Sequence, residues 1–242
     1  MSDAEPLSFL VRKLETRRKL DADDRAALLA LPHRRRMFEP SAYLVREGEP
    51  PRAHCSFVLS GFAYRQKLTL QGARQIVSLH MRGDILDLQH LFLHIADHNI
   101  QALTRLETVE VDRQTLRDLA VSHPNIGRAM WIDALVDASV FREWIVNVGR
   151  RDARARIAHL LCEFAARMES AGLARSGGYE LPMTQEQIGD ATGLTSVHVN
   201  RMLKVLRDEG AIARTGRQVR ISDWDRLRAI ADFDPAYLHA AA

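Results

Sequence analysis

The chain has 242 residues and a formal net charge of +3; 46% of it is hydrophobic and 27% charged. That balance excludes disordered and fibrous classes and leaves room for two ordinary domains. The first twenty residues mix acids with bases and lack the apolar core of a signal peptide, and no run nears the roughly 18 apolar residues of a membrane span. A cytoplasmic protein with no membrane partner is expected.

In chain order, a helical start over about residues 5 to 31 gives way to a stretch of different character from 34 to 112. There SFVLSG, FAYRQKLTL, QIVSLHM and ETVEVDR read as strands, punctuated by glycines at 48, 61, 72 and 83. Turn signals at this spacing predict a small antiparallel sandwich or roll. Cys55 and Cys162 are far apart and no close Cys pair exists, so one chain cannot assemble a thiolate metal or iron–sulfur cage. His90, His94 and His98 would align on a helix, but no acid or Cys cluster accompanies them, so surface or hydrogen-bonded histidines are expected rather than a metal site.

The common catalytic fingerprints are missing, and no motif sets a nucleophile beside a base and an orienting group, so no enzyme is expected. Isolated Asp84, Asp87 and Asp97 read as turn and rim residues rather than a carboxylate pair.

From 113 to 148 the period becomes helical. Ile126, Met130, Ala134, Asp137, Phe141, Trp144 and Val148 recur at steps of three and four and draw one stripe. Such a stripe either packs on its own β-roll or meets its twin in a coiled-coil-like dimer; the cost of leaving Trp and Phe wet favours the twin, with Asp137 a polar break that fixes register. Gly149 interrupts the pattern, and RRDARARIAHLLCEFAARM begins another amphipathic helix.

After the loop AGLARSGGYELP comes MTQEQIGDATGLTSVHVNRMLKVLRDEGAI. Thr184 with Gln187 is a capping-box signature, Gly193 marks a stop, and Thr195 caps a second helix: a helix-turn-helix. IARTGRQVRIS then reads as strand, Gly turn and strand, the wing of a winged helix. On the second helix Val199, Met202, Leu203 and Leu206 face inward, so the opposite face carries Val197, Arg201 and Lys204, flanked by Ser196, Asn200 and Arg207. Six Lys/Arg against two acids between Arg201 and Arg220 suggest a polyanion partner. The face suits a major groove, since Arg reads guanine, Asn reads adenine, and an exposed Val meets a thymine methyl. Ser196, Val197, His198, Asn200 and Arg201 are the candidates for base edges; Thr184, Thr195, Lys204, Arg217 and Arg220 are the candidates for phosphates.

Over nearly its whole length the chain resembles the Crp/Fnr family of bacterial transcription regulators. REGEPPRAHCSFVLSGFAYRQKLTLQGARQIVSLHMRGDILDL is similar to the family's cyclic-nucleotide-binding-type β-roll, GRRDARARIAHLL to its hinge and first DNA-domain helix, and TQEQIGDATGLTSVHVNRMLKVLRDEGAI to its helix-turn-helix. The resemblance implies an α+β fold: an N-terminal antiparallel β-roll of jelly-roll type (residues 1–112), a long central dimerisation helix and hinge (113–149), and a C-terminal winged helix-turn-helix (150–242). It further implies a homodimer on a two-fold symmetric stretch of double-stranded DNA, contacting RNA polymerase. Met130, Ala134, Asp137, Phe141, Trp144 and Val148 would then form the dimer interface.

Departures from the family pattern bear on the signal. Cyclic-AMP responders hold the cyclic phosphate with an Arg-Ser pair about ten residues after Gly-Glu. In GDILDLQHLFLHIADHNIQALT, Gly83 survives while His98 and Asn99 stand where the pair would be, and a neutral imidazole cannot reproduce a bidentate arginine clamp. The four cysteines of the oxygen-sensing branch are absent. Gly83, Asp84, His98 and Asn99 form the candidate effector pocket for an unidentified small molecule, and no cofactor is expected. A competing reading is a regulatory module that binds a nucleotide or protein through the β-roll and has lost DNA binding; strong salt dependence of duplex binding separates the two.

Overall fold

The structure, a computed structural model, describes residues 6–173, 178–216 and 218–239. It divides into two units, one of the described residues up to Lys67, Ser78–Ala138 and His239, the other of Leu68–Val77 and Ser139–Leu238.

In the first unit the helical start resolves into α1 (Ser8–Glu15), which buries Leu10, Val11 and Leu14, and α2 (Ala22–Leu29), whose capping box pairs Asp21 with Asp24. Seven strands follow: β1 (His33–Phe38), β2 (Tyr43–Val45), β3 (His54–Ser60), β4 (Ala63–Leu68), β5 (Arg74–His80), β6 (Asn99–Ala102) and β7 (Leu106–Asp112). They form two sheets of order β1-β7-β3 and β2-β6-β4-β5. The predicted strand pieces are β3, β4, β5 and β7.

β1 escapes a hydropathy reading because HRRRMF exposes five of its six residues. What holds it is cross-strand charge: Glu110 of β7, almost fully buried, draws Arg34 to 2.8 Å and Arg36 to 3.6 Å. One core cluster joins α1 and α2 to β3 and β7 through Leu14, Leu28, Phe57 and Val109; a second fills the roll with Phe38, Leu44, Val58, Ile100 and Leu106. The segment of His90, His94 and His98 is not a helix: only a 3₁₀ turn, Leu88–Leu91, forms there, and the buried rings of His90 and His98 stack with centroids 6.3 Å apart while His94 is exposed.

A short α3 (Arg113–Ser122) is capped by Asp112 and leads to α4 (Pro124–Arg150), 27 residues long. Gly149 lies inside its last turn; the break falls one residue beyond Arg150. Part of the predicted stripe on α4 is engaged within the chain itself. Met130 belongs to the core with Ile126. Asp137 accepts from Arg65 Nη1 at 2.8 Å, and Trp144 is buried with its indole N–H donating to Glu163 at 2.9 Å. Phe141 and Val148 are half-buried and Ala134 is exposed. At 100° per residue a second apolar line runs about one residue's rotation away: Trp131, Leu135, Ala138 and Ile145, at heptad-like steps that also pass through Arg142. Trp131, Leu135 and Ile145 are 65%, 61% and 71% exposed. Periodicity alone showed one apolar face where the helix has two.

In the second unit α5 (Ala153–Ser170) is the central helix, capped by Asp152. Around it lie β8 (Tyr179–Glu180), α6 (Gln185–Thr192), α7 (Ser196–Asp208), β9 (Ile212–Thr215), β10 (Gln218–Ile221) and α8 (Trp224–Ala231), then a 3₁₀ turn over Pro235–Leu238. The small sheet runs β8-β10-β9. Arg74, in the hairpin end that clusters with this unit, donates to Asp190 of α6 at 2.6 Å. Inside, Glu163 accepts from Trp144 and from the Tyr237 hydroxyl at 2.7 Å, which ties α4 and the chain's last turn to α5. Both cysteines are buried, and burial raises both thiols, Cys162 to about 12. No helix among the described residues is long and apolar enough to cross a membrane.

His159 of α5 packs against the rings of Phe233 and Tyr237 at 5.3 and 5.8 Å. Burial, with the Arg151 guanidinium nearby, lowers its pKa to about 3, outweighing the Glu143 carboxylate 3.2 Å from Nε2. The folded ring is therefore neutral where the unfolded one protonates, so its contribution is complete above pH 6.5 and is lost as pH falls towards about 3. Between pH 7.5 and 5 the loss is about 2 kcal/mol. His159→Phe, which keeps an aromatic ring there, is expected to shed that loss. Urea unfolding of both proteins at the two pH values checks it, and Glu163, common to both, cancels. An unchanged stability difference between the two pH values would contradict the assignment.

Candidate nucleic-acid interface

The two helices of the motif are set by their termini. Thr184 Oγ1 accepts from Gln187 N at 3.2 Å, and Gln187 Oε1 accepts from Thr184 N at 2.9 Å, completing the predicted capping box. Gly193 ends α6 in the left-handed region at φ +68°. Gly189 allows the close turn: a Cβ there would stand 2.3 Å from the Leu194 carbonyl oxygen. Thr195 Oγ1 then accepts from His198 N at 3.3 Å and starts α7. Val199, Leu203 and Leu206 are buried against the domain, with Met202 half-buried, which fixes the rotation of α7.

That rotation leaves Ser196, Val197, Asn200, Arg201 and Lys204 exposed along one side, with Val197 79% exposed. His198 is half-buried. Its Nε2 accepts from Arg201 Nη2 at 2.8 Å. Asn200 Oδ1 accepts from Gln185 Nε2 of α6 at 3.2 Å. Gln185 is absent from the residues the sequence singled out; its contact crosses the turn between two helices, which no local pattern displays. Of the two acids in the basic stretch, Glu209 pairs with Arg154 at 2.6 Å and Asp208 lies 3.4 Å from Arg207. Among the described residues no carboxylate pairs with Arg201, Lys204 or Arg220. Arg220 is exposed on β10 of the wing, whose turn places Gly216 at φ +60°. Arg217 lies outside the described residues. An exposed helix with an apolar contact, an amide and two cations, capped so that its N-terminus stands clear, has the chemistry of a groove-reading element.

Residues 155–230 match the Crp-like helix-turn-helix domain family, and residues 35–123 match the cyclic nucleotide-binding domain family. The transcriptional activator protein FnrL of Cereibacter sphaeroides is 30% identical over 174 residues, 70% of this chain and 69% of that protein. The chain belongs to the Crp/Fnr family. Like the rest of this Crp/Fnr regulator's fold, its two-domain chain finds a solved counterpart in FixK2 from Bradyrhizobium japonicum, with 26% identity, a TM-score of 0.76, and 83% of this chain and 98% of that one covered. The nitrogen fixation regulation protein FixK of Azorhizobium caulinodans is 27% identical over 72% of this chain and 69% of its own. The protein is a DNA-binding transcription regulator of the Crp/Fnr type.

In this Crp/Fnr chain each of the four candidate effector residues has contacts with neighbouring groups. Gly83 sits under α1, where a Cβ would meet Lys13 and Phe9 at 3.4 Å. Asp84 accepts from Lys13 Nζ at 2.7 Å and from Met81 N at 2.9 Å. Burial works against the Lys13 ammonium, but Asp84 and Asp133 outweigh it and hold its pKa above the ordinary value. His98 is held between Asp97 at 2.7 Å and Gln89 at 3.2 Å, and burial with nearby Arg65 lowers its pKa to about 4. Asn99 Oδ1 accepts from Glu47 N at 3.0 Å. The buried cation in this region is Arg65, which donates to the Leu86 carbonyl as well as to Asp137. Among the described residues no three His, Cys, Asp or Glu side chains are placed to hold a metal.

Proposed function

We propose that this regulator acts as a homodimer on a two-fold symmetric operator, placing α7 of each copy in successive major grooves and contacting RNA polymerase. The observation that carries it is the rotation of α7, which keeps Val197, Asn200, Arg201 and Lys204 on one exposed side without a competing carboxylate. Arg201 reads a guanine in each half-site, and Val197 meets a thymine methyl. Lys204 and Arg220, with Thr184 and Thr195 at the helix starts, hold phosphates and set register; Arg217 is assigned to the same task by its place in the wing sequence. The two half-sites are centred about one helical turn apart. Selection of bound DNA from a random pool, using purified protein, tests the reading. A palindrome with a guanine in each arm is expected; recovery of no enriched sequence, with weak and salt-independent binding, would favour a module that does not bind DNA.

The exposed Trp131, Leu135 and Ile145, with half-buried Ala138 in the same line, support the dimer, since a long amphipathic helix with two apolar faces has a cover for only one of them among the described residues. We place the seam there, with Ala134 and Phe141 at its margin.

The domain division follows the same reading: a sensor-type roll ahead of α4, a dimerisation helix, and the winged domain from about residue 150. The roll works without cyclic AMP. Its candidate clamp positions, His98 and Asn99, are engaged by Asp97, Gln89 and Glu47, and the His98 ring is neutral. Loss of a charge-assisted bidentate contact costs about 2 to 5 kcal/mol, roughly thirtyfold to several-thousandfold in affinity. Calorimetry with cyclic AMP is expected to show no tight binding, and a micromolar or stronger constant would overturn this.

A further inference from the structure

We propose that His198 is a positioning residue of the recognition helix, acting on DNA through Arg201 rather than reading a base itself. The inference rests on the reading of Arg201 as the guanine contact. His198 and Arg201 stand one turn apart on α7, where side chains at i and i+3 meet. The separation of 2.8 Å between Arg201 Nη2 and His198 Nε2 is that of a well-formed hydrogen bond. A guanidinium only donates, so Nε2 is the accepting nitrogen of this contact. The ring is half-buried while Ser196, Val197, Asn200 and Arg201 around it are exposed. It therefore lies behind the reading surface instead of on it.

The consequence is a guanidinium held in one orientation before DNA arrives. Only one hydrogen of Nη2 is used; the other, with Nη1 and Nε, leaves a donor pair for the O6 and N7 of guanine. Long arginine side chains lose rotamer freedom on binding, and a side chain already held loses less. The gain is realised only where the guanidinium finds its two acceptors in the set geometry, so it falls on discrimination at one base pair and not on general affinity for phosphate. The neighbouring pair follows the same pattern: Gln185 holds Asn200 Oδ1, which leaves that amide's N–H₂ group as its donor for DNA.

The test is a double-mutant cycle on full-length protein with the selected operator and a second duplex changed only at the guanine assigned to Arg201. The readout is the ratio of the two dissociation constants at fixed salt. H198A is expected to lower that ratio about three- to tenfold with the salt slope unchanged, the size of a coupling between contacting side chains. H198Q, whose Oε1 also accepts, is expected to restore most of it, and H198A added to R201A is expected to change nothing further. The Thr195 cap uses the backbone N–H of residue 198, so the helix start survives these changes, and thermal melting checks that it does. A ratio moved by R201A but not by H198A overturns the positioning role alone. An H198A effect that persists in the R201A background, or that falls on a different base pair, makes His198 a direct reader and also overturns it. A ratio unmoved by R201A overturns the Arg201 reading itself and the inference with it.

Discussion

Leu135→Glu with Ile145→Glu is expected to convert the protein to a monomer and to reduce operator affinity by about 100- to 10,000-fold, the range by which two linked contacts exceed one. Both side chains are more than half exposed in the single chain, 61% and 71%, so the change removes nothing from either core. In a paired seam, however, it would place carboxylates against their own symmetry mates and remove the apolar contact there. Size-exclusion chromatography with light scattering reads the first effect, and titration of labelled operator reads the second. The same substitution at Trp144 would be uninformative, because Trp144 is buried against Glu163 and its loss would damage the domain itself. Dimers that survive the double change would place the contact between copies elsewhere on the chain.

Arg201→Ala is expected to cost about 1 to 3 kcal/mol on the selected operator and to relax preference at a single base pair in each half-site. Lys204→Ala should behave differently. One turn further along the exposed side and without a base-facing partner, it is expected to weaken binding to all sequences alike and to flatten the slope of log affinity against log salt by about one unit. The contrast is the useful measurement, because the two residues carry the same charge and lie on the same helix face. An Arg201→Ala protein that selects an unchanged motif would mean that α7 docks in another orientation.

The helix-turn-helix was fully legible because what forms it is local. Thr184 reaches Gln187, Gly193 takes the left-handed turn and Thr195 caps the next helix, all within a span of a few residues whose periodicity also tells the buried face from the exposed one. The basic exposed side follows from that rotation, so the base-edge and phosphate candidates could be named from the sequence. Their arrangement could not. That His198 lies behind Arg201, and that Gln185 reaches Asn200 across a turn, depends on side-chain directions that residue spacing leaves open.

Tertiary structure decided the rest wherever an element is stabilised by something distant in the chain. β1 carries three consecutive arginines and has no strand pattern; it is a strand because Glu110, some seventy positions away, lies opposite. On α4 the sequence displayed apolar residues at helical spacing, but only packing could assign each line to its cover. Met130 and Trp144 are claimed by their own units and Asp137 by Arg65, while Trp131, Leu135 and Ile145 stay more than half exposed. The surroundings of the effector candidates were decided in the same way. Gly83 and Asp84 are adjacent to α1 in space, His98 and Asn99 are bound to Gln89, Asp97 and Glu47, and nearness along the chain between 83 and 99 carries no information about which of them face one another. Local hydrogen bonds and periodicity are written in consecutive residues, whereas burial against a remote surface is a property of the folded chain alone.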